Sequence, residues 1–137
     1  MFVTTSRDPS AKARRFARAL ASFLSLPYVN RGKQRPGEDE IWLVVVEDHG
    51  NPAGLVKRSS EKLEQLSFRL SGDTEARRLK IVVPKVAGEG AVALPIAQFF
   101  ELEWLGKAVP AQGRIIRAAS GNIDFMDEGR AVFRLKT

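Results

Sequence analysis

The chain has no cysteine among its 137 residues. That removes disulfides, thiolate metal ligands and cysteine nucleophiles together, and it fits a reducing, cytoplasmic compartment. Histidine occurs once, at His49, so a metal site built on several imidazoles is excluded. No apolar run approaches the roughly 18 residues that a membrane-crossing helix needs. Met1-Phe2-Val3-Thr4-Thr5-Ser6-Arg7 lacks the basic-then-apolar pattern of a secretory leader. No Walker phosphate loop, no Gly-x-Gly-x-x-Gly and no Gly-x-Ser-x-Gly occurs. Negative charge is scarce at the front of the chain. Residues 1–36 hold Asp8 alone against Arg7, Lys12, Arg14, Arg15, Arg18, Arg31, Lys33 and Arg35, a net of +7. The whole chain carries +6, so the other 101 residues carry −1. Like charge gathered on one part of a folded surface repels itself, and the compensating interaction is attraction to a polyanion. RNA or DNA is therefore the first partner to consider.

The length is one domain's worth of chain, and 44% hydrophobic with 28% charged residues fits a globular protein with a real core. Phe2–Thr5 reads as a short strand. Asp8 reads as a helix N-cap and Pro9 as the first helical residue, opening a helix to about Ser25. Phe16, Leu20, Phe23 and Leu24, with Ala13 and Ala17, make its apolar arc, and Lys12, Arg14, Arg15 and Arg18 fall outside that arc. Pro27 stops the helix. Tyr28-Val29-Asn30 is a short extended piece before the loop Arg31-Gly32-Lys33-Gln34-Arg35-Pro36-Gly37.

Ile41–Glu47 is a near-continuous apolar run and reads as a central strand buried on both faces. Asp48-His49-Gly50-Asn51-Pro52 turns it into a returning strand, Ala53–Arg58. Leu63–Leu70 alternates as a further strand, and Leu79–Val83 reads as an apolar one. Pro95 is expected to open a second helix ending at Gly106, with Ile96, Phe99, Phe100 and Trp104 on its apolar face. Arg114–Ala119, Gly121-Asn122 and Ile123–Met126 read as a tight hairpin, and Ala131–Lys136 as the last strand. The pattern predicts an α/β fold, a mixed sheet with helices packed on it. Both tryptophans are expected in the core, and no sequence repeat is visible.

Val3-Thr4-Thr5-Ser6-Arg7-Asp8-Pro9-Ser10, continuing through Arg15-Phe16-Ala17 to Asn30-Arg31-Gly32-Lys33, resembles the Brix-domain family of ribosome-biogenesis proteins. Val44–Leu55 is similar to that family's central strand and turn, and Asp127–Leu135 to its C-terminal signature. The resemblance spans nearly the whole chain, is strongest in its first piece, and points to the small-subunit processome branch in an archaeal single-domain form. It implies one Brix domain over 1–137, with approximate halves 1–70 and 71–137. The implied fold is like the anticodon-binding domain of class IIa aminoacyl-tRNA synthetases. It also implies a non-catalytic factor whose partners are rRNA or pre-rRNA and ribosome-assembly proteins, with no membrane, no small-molecule substrate and no cofactor. Two departures are visible. Only seven residues separate Lys33 from Ile41, where the family has an amphipathic helix, and Val56–Glu61 holds no Gly/Pro-rich loop.

The expected RNA-binding residues are Ser6, Arg7, Lys12, Arg14, Arg15, Arg18, Tyr28, Asn30, Arg31, Lys33 and Arg35. Arginine and lysine supply phosphate donors, arginine adds planar stacking, and Tyr28 can stack on an unpaired base. Gly32 lets backbone approach a ligand. Phosphate binding at the first helix's N-terminus is disfavoured by the cap carboxylate expected at Asp8. Glu38-Asp39-Glu40 reads as solvated charge, and His49 as an exposed turn residue. A protein-interaction scaffold is the alternative: the short N-terminal half leaves apolar sheet surface open near Trp42.

Overall fold

The computed structural model describes residues 1–30, 37, 39–72, 74 and 78–137. It divides into two compact units, Met1–Arg69 with Thr74–Ile81, and Leu70–Asp73 with Val82–Thr137.

The first unit is built on β1 (Phe2–Thr5), α1 (Ala11–Leu24), β2 (Trp42–Asp48), β3 (Asn51–Arg58) and β4 (Leu63–Ser67). Its sheet runs β1-β2-β3-β4, with β1 parallel to β2 and the other pairs antiparallel. A parallel pair needs a crossover, and α1 supplies it. Its buried side chains are Ala13, Phe16, Ala17, Ala19, Leu20, Ala21, Phe23 and Leu24. Burying each large one contributes about 1.5–3 kcal/mol. The expected apolar arc is the observed one. β2 is an inner strand with Trp42, Leu43, Val44 and Val45 all buried, as its apolar run predicts. His49 and Gly50 take positive φ, 51° and 79°, in the tight turn to β3.

The second unit repeats this plan. β6 (Lys85–Ala87), α2 (Gly90–Phe100), β7 (Arg114–Ala119), β8 (Asn122–Asp127) and β9 (Arg130–Lys136) form a sheet with β6 parallel to β7 and the rest antiparallel. β5 (Arg69–Ser71) adds beyond β9. Both helices end on a left-handed residue, Ser25 and Glu101, whose N–H returns to the last turn. After each helix an aromatic residue bridges the strand that precedes the helix: Tyr28 opposite Val3 of β1, and Trp104 opposite Val86 of β6. The repeat lies in geometry, since few residues are shared between the two copies.

Several expectations are corrected. The α1 cap is Ser10, whose Oγ accepts the Ala13 N–H, while Asp8 lies exposed ahead of it. Pro95 sits inside α2 rather than at its start, on the exposed side, where water can meet the Ala91 carbonyl that loses its partner. The helix ends at Phe100, because Glu101 takes the left-handed role usually read from glycine. Leu63–Leu70 is two strands, β4 and β5, in different sheets. Leu79–Val83 forms no strand, and Ile81 is 90% exposed. Trp42 is core at 1% exposure, which overturns the expected open apolar surface around it, whereas Trp104 is 37% exposed.

Candidate nucleic-acid interface

α1 carries the positive charge outward. Arg14, Arg15 and Arg18 are all exposed, while Ala13, Phe16, Ala17 and Ala19 between them are buried. Residues three and four apart share a helix face, so the three guanidinium groups occupy one outward arc. Among the described residues, no carboxylate pairs with Arg7, Arg14, Arg15 or Arg18. Arg18 lies over the Tyr28 ring, 5.6 Å from its centroid. The tyrosine is thus engaged by a cation of the same surface and is only partly exposed.

Lys12 stands apart from this arc. It is half-buried and its Nζ donates to Asn51 Oδ1 at 3.2 Å, which ties it to the β2–β3 turn. Arg7 and Asn30 are exposed and Ser6 is half-buried. Arg31, Lys33 and Arg35, with Gly32, lie outside the described residues. The structure therefore brings Arg14, Arg15, Arg18 and Tyr28 together and sets Lys12 aside.

The N-terminus of α1 is occupied by the protein itself. Glu47 Oε1 accepts the Ser10 N–H at 2.8 Å, and Ser10 Oγ donates to the Gly50 carbonyl at 2.7 Å. The β2–β3 register shifts between Val46 and Glu47, beside the residue that makes this contact. A phosphate at this position would meet a carboxylate. The sequence reading reached the same exclusion through the wrong residue, Asp8.

The other candidates resolve into local structure. His49 is 93% exposed at its side chain, with Nε2 3.5 Å from Asp48 Oδ1. Glu40 Oε2 accepts the Gly37 N–H at 3.0 Å and the Trp42 Nε1–H at 3.1 Å. The backbone bond first, then the indole bond, lowers its pKa from the usual carboxylate value. It works as a loop fastener. Glu38 lies outside the described residues. No group of three or more His, Asp or Glu suited to a metal ion occurs among the described residues. No helix among them is long and apolar enough to cross a membrane.

The repeat makes the charge on α1 more telling. The exposed and buried positions of residues 11–20 recur at 91–100. Arg14, Arg15 and Arg18 then correspond to Leu94, Pro95 and Gln98. One scaffold carries three arginines where the other carries none, so the fold itself does not require them. Sequence reasoning missed this contrast because the two helices share a pattern of burial and few residues.

The fold and surface define a two-unit α/β protein with one helix face given over to positive charge. Comparison with known proteins narrows this. No family-level sequence model matches the chain. It is 30% identical to a probable Brix domain-containing ribosomal biogenesis protein of Methanosarcina mazei, over 98% of this chain and 94% of that one. Its fold is similar to that of Mil (Mth680), an archaeal Imp4-like protein, with a TM-score of 0.75, 25% identity, and 99% and 95% of the two chains covered. A probable ribosomal biogenesis protein from Aeropyrum pernix K1 shares the fold at a TM-score of 0.66 and 22% identity, over 98% and 92% of the chains. The chain belongs to the Brix-domain family of ribosomal biogenesis proteins.

Proposed function

We propose that this protein is a non-catalytic assembly factor that binds rRNA or pre-rRNA through the outward face of α1 and serves the small ribosomal subunit. The observation that carries the reading is the arc of Arg14, Arg15 and Arg18, exposed and, among the described residues, unpaired with carboxylates. Cations held on a helix in this way bind phosphates as point and planar donors, with little selection of sequence. Ser6, Arg7, Tyr28 and Asn30 border the same end of the unit in sequence. Arg31, Lys33 and Arg35 are assigned to the interface from the sequence alone. The family's implied likeness to an anticodon-binding domain, one Brix domain over 1–137 in two halves, and a cytoplasmic location belong to the same proposal.

Photo-crosslinking to precursor transcripts tests it. Crosslinked peptides should come from α1 and from 28–35, and small-subunit transcripts should compete better than large-subunit ones. Crosslinks confined to other segments would remove α1 from the interface. A second reading, a scaffold for assembly proteins, is favoured by one feature: Leu94 on the uncharged copy of the helix face, and Trp104 in the segment after that helix, both expose apolar surface. A pull-down of assembly proteins whose yield resists ribonuclease supports that reading.

A further inference from the structure

Within the second unit, a cavity of about 260 Å³ opens beside β7 and β8, lined by Val109, Pro110, Ile115, Met126 and Arg117 among others. Strand alternation explains the lining. Phe125 meets Phe100 of α2 ring to ring, so Phe125 and its partner Ile116 face the helix. Ile115, Arg117, Asp124 and Met126 then share the opposite face. Apolar walls with a single charged group are the makings of a binding site. The volume falls below the roughly 300 Å³ at which small-molecule pockets begin, so it holds one ring system rather than a whole ligand.

Arg117 is held in place. Its Nε and Nη2 both donate to Asp124 Oδ2, at 3.2 and 2.6 Å. Arg134 on the neighbouring strand donates to both oxygens of the same carboxylate. Asp124 is buried, while the two guanidiniums remain near half exposed. One carboxylate between two arginines leaves these three residues with a net charge of +1. A guanidinium with its Nε edge fixed still offers its planar face and remaining N–H groups to a ligand.

We propose that this cavity seats one unstacked base of single-stranded RNA, with Arg117 stacking on it or donating to its edge. The ligand class rests on the RNA-binding reading above, but the site is separate from α1 and lies in the other unit. Apolar walls disfavour a bare phosphate, which keeps its hydration in water. A base offers what the cavity asks for: a flat apolar face and acceptor atoms at its rim.

Met126 is a built-in reporter, because the chain has only two methionines and the other is Met1. The test uses the full chain labelled at its methionine methyls and follows them by NMR. The titrants are nucleoside monophosphates, a seven-nucleotide RNA, an abasic strand of the same length, and N-acetyltryptophanamide. The RNA should shift the Met126 methyl while the abasic strand binds without shifting it. Arg117→Leu should lower RNA affinity about tenfold, the scale of one base contact, and abolish the shift. Ala111→Phe, which fills the cavity and leaves the ion triad intact, should do the same in a folded protein. With Arg14, Arg15 and Arg18 changed to Gln, affinity should fall but the shift should persist at saturation. RNA binding that leaves Met126 unmoved, or a shift that survives Arg117→Leu, overturns the base seat and leaves α1 untouched. A shift given by tryptophanamide and not by nucleotides overturns it in favour of a protein side chain. Monophosphates that shift Met126 while no strand binds would overturn the single-strand seat in favour of a free nucleotide site, and would sink the α1 reading as well.

Discussion

Changing Arg14, Arg15 and Arg18 together to glutamine isolates the electrostatic part of the proposed interface. Glutamine keeps the helix propensity of arginine to within a few tenths of a kcal/mol. All three side chains are exposed, and no carboxylate among the described residues loses a partner. Surface changes of this kind stay within about 0.5 kcal/mol each, and relief of repulsion among the three offsets part of that. The melting temperature should move by no more than a few degrees. Each phosphate neutralised on a single strand contributes a slope of about −0.7 in log affinity against log salt. Three contacts therefore account for about −2. Between 50 and 200 mM salt, a fourfold change, a slope of about −2 is worth roughly 16-fold in affinity. The variant should lose that much of its salt sensitivity, in fluorescence anisotropy titrations of one RNA at four salt concentrations. A variant with the wild-type slope would show that α1 touches no phosphate. A variant whose slope and melting temperature both collapse would show instead that the arginines hold the fold.

Three other outcomes follow from the geometry. Ser10→Ala removes the bond to the Ala13 N–H and the one to the Gly50 carbonyl; it should cost about 1 kcal/mol in urea unfolding, the usual loss for a helix cap. Asp124→Asn should cost about 2 kcal/mol, less than the 3–5 for breaking a fully buried pair, since Arg117 and Arg134 keep half their access to water. Burial pushes the Asp124 pKa up, but the bonds from Arg134 and Arg117 outweigh it and the net shift is downward. The wild type should therefore hold this stabilisation above about pH 4 and lose it as pH falls through the lowered value; urea midpoints of the Asn variant should lack that acid-side decline. Gly88→Ala should destabilise the second unit by about 3 kcal/mol or more, because φ is +133° and the new Cβ would lie 2.1 Å from the Ala118 carbonyl oxygen; calorimetry showing a melting temperature near wild type would refute that clash.

What could be read from the sequence was whatever repeats locally. The apolar arc of α1, the buried run of β2 and the hairpin turns at 48–51 and 119–122 follow from period and turn chemistry, because burial on one face imposes its spacing on the residues. Elements whose ends depend on unusual backbone were misplaced. Pro95 and Glu101 each occupy a position where the common residue would be different. The apolar run Leu79–Val83 looked like a strand because composition cannot say whether a partner strand is there to receive it.

The sequence by itself determined that positive charge gathers in the opening third, and helical spacing was enough to put Arg14, Arg15 and Arg18 on one side of α1. It could not determine that no carboxylate among the described residues would come to meet them, nor that Lys12 would turn to Asn51 instead. The tertiary structure alone also brought Arg117, Asp124 and Arg134 together from three strands, and matched α1 to α2 as two copies of one plan. The physical reason is the same in each case. Periodicity and charge are carried by neighbours along the chain, whereas pairing and exposure depend on which distant segments arrive beside them.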